Sequence, residues 1–465
     1  MNDPIPQTEF KVGTLSYTKE KLLKVCSWLL VADLGLAFRG RALGPMIQFL
    51  LKGFGVSNQT IAWATVTFPQ GLSLVLNPVV AHYSDRCRSR WGRRIPFIFL
   101  TVPILTLTMA AMGFTPLWAK HLHQQLGSYS PGEQTCGLIA FLVVFTVFDL
   151  AAIVQGRTWG GLINDILPQK VLGRFMAAAR IISLVVGIVF NQFFLVHVQH
   201  YQLTAFLILS GIYGSTMIIL VLGVREGEYP PPPPAVDSKG LKALWDNAKE
   251  FLKECYGNPY YRWVMLMLCI DDIAFGAVNT FSLFHAQSLN MNMQTYGSCV
   301  AAQYVIGLCL AYPIGSLADK YHPFRVSAIA LLLYGLFALW SGLFISNTTT
   351  FVIGFMAHGI FATSYNTAAA SMGFRLLARS RYTVLSAGTG IVGTALSMVV
   401  TPLLGWVLDL SHSQYRFTYL VGFGYVMMGI PLYIIVYRKF LALGGPRNYV
   451  APDDDTIQPS ATAGP

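Results

Sequence analysis

Four acidic side chains interrupt otherwise apolar stretches of the chain. Asp33, Asp149 and the adjacent Asp271 and Asp272 each lie about eleven or twelve residues into a run long enough to cross a bilayer. At that depth a carboxylate costs at least a few kcal/mol unless it meets a polar interior, and a group so placed is suited to carrying a proton. Arg157 follows Asp149 by eight residues, which on a helix gives a shared face and a separation of about 12 Å along the axis. A direct pair within the helix does not fit that distance. Either a bound polar molecule lies between the two charges, or Arg157 pairs with an acid from another helix in a static ion pair. Asp33 has Arg41 as its candidate static partner. Arg39 and Arg41 point to different sides of one helix, so at most one lines a cavity, and Arg180 is near enough to a helix end to snorkel. Amide and phenol groups suited to hydroxyl-rich ligands accompany these charges: Gln48, Gln70, Asn77, Gln155, Asn279, Gln303, Tyr365 and Asn366. The same residue types also make hydrogen bonds between helices.

A second constellation is Asp85 with Arg86, Arg88, Arg90, Arg93 and Arg94, in a short loop. Charge-assisted hydrogen bonds among such groups can hold neighbouring helix ends together. The plain alternative is an anchor of positive loop charge. The context repeats: Asn77-Pro78 and Ala81 precede Asp85-Arg86, and Tyr312-Pro313 and Gly315 precede Asp319-Lys320. The repeat favours a latch that selects one access state, and it points to two homologous halves.

The elements that must hold these groups follow from composition. Of 465 residues, 54% are hydrophobic and 11% charged, against about 25% charged in a soluble domain. This excludes a soluble fold, a disordered chain and a disulfide scaffold. Twelve apolar runs lie near 22–50, 59–83, 95–116, 137–158, 175–197, 203–223, 260–287, 295–318, 324–345, 351–373, 383–408 and 416–438. The expected fold is therefore an all-α membrane protein with twelve transmembrane helices in two six-helix bundles. Its divisions are an N-terminal tail at 1–21, a bundle at 22–223, a Pro-rich linker with a short amphipathic helix at 224–259, a second bundle at 260–438 and a C-terminal tail at 439–465. Of the 32 Lys and Arg, 25 fall in the tails and alternate loops, so the net charge of +11 marks topology and not nucleic acid, and both termini are expected to be cytoplasmic. The N-terminus has no apolar core of a signal peptide, and the seven scattered cysteines are expected mostly as small buried hydrophobes. No nucleophile elbow, phosphate loop or metal cluster stands out, so an enzyme is not expected.

At this point the sequence resembles the sucrose transporters and their glycoside-pentoside-hexuronide:cation symporter relatives in the major facilitator superfamily. The resemblance rests on Asn77-Pro78 through Ser84-Asp85-Arg86 to Arg90-Trp91-Gly92-Arg93-Arg94-Ile95-Pro96, and on Pro45-Met46-Ile47-Gln48. More telling is the series Phe148-Asp149-Leu150, Gln155-Gly156-Arg157, Asn164-Asp165 and Gly173-Arg174-Phe175. In two respects the chain departs from that pattern: Arg157 directly follows Gly156, and Asp271-Asp272 has no clear counterpart. The resemblance implies alternating access by a monomer in a cell membrane, importing a disaccharide or other glycoside with a proton and without a cofactor or metal. It implies Asp149 as the proton site, Arg157 as its charge partner or a substrate clamp, and Asp165 and Arg174 in the gating set with Asp85, Arg86, Arg90, Arg93, Arg94 and Asp319. Sodium coupling and transport of a lipid or lysolipid are the alternatives within the same group.

Overall fold

A computed structural model describes residues 10–12, 14–229, 241–378 and 381–452. Residues 230–240 of the linker expected over 224–259 lie outside the described residues, as do the side chains of Asp85 and Asp271. Among the described residues, nine helices are long and apolar enough to cross a membrane, running from Ile95–Tyr129 to Phe417–Ala442. The remaining expected crossings, Lys19–Gly53, Asn58–Arg86 and Thr348–Ala369, are helical too but carry more polar residues. The all-α membrane architecture is the one anticipated. Leu107 and Leu222, 68% and 80% exposed, belong to an apolar surface that water would not tolerate but lipid does.

Two compact units divide the chain: Met1–Ser57 with Phe68–Ala235, and Asn58–Thr67 with Val236–Pro465. In the first, Ile95–Leu126 packs on Glu133–Ile166 and on Gln202–Gly223, while Lys19–Gly53 packs on Gln202–Gly223 and Gln169–Val189. Small residues permit the close approaches. A Cβ on Gly35 would meet Thr216 Oγ1 at 2.0 Å, so alanine there would require the Thr216 side chain or the helix containing Asp33 to shift. A π-helical turn at Phe190–Phe194 widens the fifth crossing near the end opposite the arginine loop.

The helix Ile95–Leu126 starts at an arginine-rich turn with no side-chain cap of its own. Its orphan N–H groups are satisfied from 130 residues away in sequence. Glu226 Oε2 accepts from the Arg93 N–H (3.0 Å), and Oε1 accepts from the N–H groups of Arg94 (2.7 Å) and Ile95 (2.6 Å). A carboxylate at a helix N-terminus also opposes the positive end of the helix dipole. Tyr229 donates to the same carboxylate at 2.8 Å, and the Arg93 guanidinium lies 4.3 Å from the Tyr229 ring centre. Burial and that hydrogen bond push the Tyr229 phenol well above its ordinary value. Gly92 is required beside this carboxylate: its φ is +108°, and a Cβ would meet Glu226 Cδ at 2.5 Å.

In the second unit, Thr348–Ala369 packs on Pro323–Phe344 and Met293–Tyr321, and Phe417–Ala442 on Pro323–Phe344 and Ile270–Ser288. Asp409 performs for Asn58–Ala62 what Glu226 does in the first unit. It accepts from the backbone N–H groups of Asn58 (2.9 Å) and Gln59 (3.0 Å) and from the Asn58 side chain. The seventh crossing is broken at Cys269, between Pro259–Leu268 and Ile270–Ser288. Cys136, Cys255, Cys269 and Cys299 are buried, as anticipated for small hydrophobes, whereas Cys309 is exposed.

Replacing Glu226 with Gln removes the charge from three backbone hydrogen bonds and should cost about 2–3 kcal/mol. The expected result is a lower thermal unfolding midpoint in detergent than the parent protein. An unchanged midpoint would show that the Glu226 cap contributes nothing to stability.

Candidate functional site

The helix Glu133–Ile166 carries the central residues. Asp149 lies about 25 Å from either end of it, at the depth of a bilayer centre. Asp149, Ala152, Ile153, Gly156 and Arg157 follow the i, i+3, i+4, i+7, i+8 spacing that keeps one helical face. That face lines an open cavity of about 410 Å³, flanked on its other side by Ser73 and Asn77 of Phe68–Arg86. Gly156 has open space where a Cβ would stand, so its lack of a side chain leaves volume to the cavity.

The cavity is asymmetric in charge. At one end Arg157 Nε donates to Asn77 Oδ1 at 2.7 Å, and Asn77 Nδ2 donates to Ser73 Oγ at 3.0 Å. Pro78 follows Asn77 inside the helix and cannot donate to the carbonyl one turn back, which locally loosens this wall. At the other end, one oxygen of the Asp149 carboxyl, Oδ2, is buried and has no hydrogen-bond partner. Buried polar atoms are normally paired, so such an atom marks a place for a proton, a water or a ligand group.

The cation that acts on Asp149 is Arg39. Arg39 donates to Gln155 Oε1 at 2.5 Å and lies 5.4 Å from the Tyr213 ring centre. Gln155 Nε2 in turn donates to the Tyr213 hydroxyl. The guanidinium is thus held by an amide acceptor on one helix and an aromatic face on another, as a fixed positive charge behind the cavity wall.

Several expectations about single residues change in this light. Among the described residues Arg157 has the neutral amide of Asn77 as its partner on a neighbouring helix, in place of the acid expected of a static pair, and it shares the cavity with Asp149. Gln155 was expected to face substrate, but it is 1% exposed, with its amide committed to Arg39 and Tyr213. Arg41 donates to Ser183 at 3.2 Å, so of the two arginines on the first helix it is Arg39 that acts at the site. Tyr365 is buried and accepts from Tyr433, and Gln303 donates to the Phe355 carbonyl at 2.6 Å, so both serve packing in the second unit. Asn279 Oδ1 accepts from His358 Nε2 at 3.0 Å. Asn366 and Asp272 are exposed, Gln48 and Asp33 half-buried, and Gln70 Oε1 is buried without a partner. In the arginine loop, Asp165 is the acidic partner of the arginine side chains among the described residues. It binds Arg93 through both oxygens at 2.5 and 2.8 Å and Arg94 at 3.3 Å, and Arg94 also reaches Ser84 at 2.5 Å. Asp319 pairs with Arg375 at 3.1 Å. Arg90 lies over Trp91, while Arg86 closes its helix and Arg174 is exposed. Ser73 and Glu226 were missed by sequence reasoning. Ser73 had a signal, one helical turn before Asn77, whereas Glu226 was hidden in a polar stretch.

The family described as MFS/sugar transport protein matches residues 30–381, most of the chain and all of the cavity. The chain belongs to this family. Sucrose transport protein SUC4 of Arabidopsis thaliana is 22% identical over 373 residues, covering 75% of this chain and 69% of that protein. Sucrose transport protein SUT1 of Oryza sativa subsp. japonica is 33% identical over 81 residues, 17% of this chain and 14% of its own length. Among solved structures, a D-xylose-proton symporter superposes with a TM-score of 0.61 at 10% identity, covering 90% of this chain and 98% of that one. A bacterial homolog of the human lysosomal transporter Spinster, inward-facing and unoccupied, gives 0.63 at 14% identity, covering 93% and 98%. These superpositions show the fold of a membrane transporter. The MFS/sugar transport family thus supplies the setting for the cavity.

Gln155→Leu keeps the volume but removes the acceptor from the half-buried Arg39 guanidinium. It should lower stability by about 2–3 kcal/mol, visible as a reduced unfolding midpoint, while Gln155→Glu should retain most of it. Equal midpoints for Leu and the parent would show that Gln155 does not hold Arg39.

Proposed function

We propose that this protein is a proton-coupled symporter that imports a sugar, a disaccharide or glycoside such as sucrose or maltose, by alternating access. One observation carries the reading: a buried, unpartnered carboxyl oxygen at Asp149 and a guanidinium at Arg157 face the same cavity from one helix. The cavity falls within the roughly 300–1,000 Å³ of small-molecule sites. Its polar groups are donors and acceptors suited to hydroxyls, which the sucrose transport proteins named above also handle.

In this reading a proton binds Asp149 Oδ2 as the sugar binds. The neutral carboxyl then donates to a sugar oxygen, and Arg157, Asn77 and Ser73 hold hydroxyls at the far end. Arg39 keeps a positive charge behind Asp149, so the deprotonated carboxylate is tolerated once sugar and proton have left. Loss of the proton on the cytoplasmic side, where both termini lie, weakens sugar binding and drives release. Arg93, Arg94 and Asp165, with Asp319 and Arg375, hold helix ends on that side.

Asp149→Asn should abolish accumulation of sugar against a gradient while leaving exchange of labelled for unlabelled sugar. Full concentrative uptake by that variant would remove Asp149 from the role. Arg157→Lys keeps the charge but loses the planar fork, so the half-saturation constant should rise at least about tenfold with the maximal rate little changed. A proportionate fall in rate instead would place Arg157 in the conformational step. Adding sugar to an unbuffered suspension of cells carrying the protein should raise the external pH; a sodium-coupled carrier would leave it constant and require sodium.

A further inference from the structure

A second cavity in the first unit is separate from the charged one and opposite to it in character. It measures about 290 Å³ and lies among Lys19–Gly53, the π-helical turn with Leu195–Val198, and Gln202–Gly223. Phe38, Ala42 and Met46 form one wall, and Phe190, Ala205 and Leu209 stand against it. Its only polar side chains, His197, Tyr201 and Thr204, are gathered at the end where the fifth and sixth crossings join, opposite the arginine loop. Phe194 and Ile208, also in its lining, are 51% and 55% exposed. On a membrane-spanning surface, exposure means contact with lipid.

We propose that this cavity binds one acyl chain of a membrane phospholipid, with the headgroup ester and phosphate beside His197, Tyr201 and Thr204. Three observations converge on that occupant. An apolar cavity of this size does not hold water stably, and it takes apolar ligands instead. The polar groups lie at one end only, which matches a molecule with one polar terminus and a long apolar remainder. The wall is built on a π-helical turn, which displaces Phe190 and Phe194 from regular helical packing, and such turns recur at functional sites. Polar substrates are excluded by the same lining.

The site also has a route to the transport machinery. Phe38 precedes Arg39, and Ile212 precedes Tyr213, so the two helices that form the cavity's deep end are those that hold the positive charge behind Asp149. A chain filling the cavity braces these helices against each other. Absence of the chain leaves that pair of helices underpacked.

The test uses purified full-length protein in vesicles containing a phosphatidylcholine with a photoreactive diazirine in one acyl chain, and in parallel a photoreactive sterol. Labelling by the phospholipid should concentrate within residues 190–212 and 38–46, and Ala205→Phe, which fills the cavity, should reduce it at least fivefold there while labelling elsewhere persists. Ala42→Leu, a smaller intrusion, serves if Ala205→Phe does not fold. In detergent, added phosphatidylcholine should raise the unfolding midpoint of the parent and not that of the filled variant. Labelling that is undiminished in the folded variants, or that comes from the sterol and not the phospholipid, would overturn the proposal.

Discussion

The ion pair between Arg93 and Asp165 and the Glu226 carboxylate beside it fix the start of one helix against the end of another. Asp165 is close to the end of Glu133–Ile166, and Arg93 immediately precedes the start of Ile95–Leu126. These two helices form the most extensive packing in the first unit. The pairing therefore sets the axial register of the helix that carries Asp149 and Arg157. Bidentate geometry matters for this purpose, because two parallel N–H to oxygen bonds restrict rotation as well as distance. Gly161 serves the same junction from the helix itself, since a Cβ there would lie 2.7 Å from Arg94 Nε.

Register then determines a division of labour among three arginines. Arg39 is half-buried and held by protein groups, so it acts as a constant field. Arg157 is exposed to the cavity and, among the described residues, touches the Asn77 amide, so its other N–H groups face a ligand. Arg93 binds carboxylates and takes no part in the cavity at all. Identical side chains do three different things because burial and partners differ, not because sequence context announces it.

How much of this was legible without coordinates depends on the range of the interaction concerned. The helical membrane fold follows from apolar run length and loop charge. The shared face of Asp149 and Arg157 follows from helical periodicity within one element. Arg39, Tyr213 and Gln155 come from three helices, and their meeting depends on inter-helix packing that periodicity does not encode. Gln155 looked like a ligand group because an amide in an apolar run is costly, and a half-buried arginine is an equally good reason for it. Glu226 and Asp409 were invisible for a related reason. Their role is to cap remote helices, and neither the polar stretch around Glu226 nor the helix end that holds Asp409 marks which helix start its carboxylate serves.

Gly156 gives this transporter an unspent reserve. Alanine in the middle of a helix is favoured over glycine by roughly 0.8–1.0 kcal/mol, and here the extra methyl would strike nothing. Stability alone would fill the position, so the missing methyl belongs to the cavity's volume. A ladder of alanine, serine and valine at this one site would trade helix stability against cavity volume in small steps. The width of the accepted ligand is thereby adjustable at a single position, with no charged group disturbed.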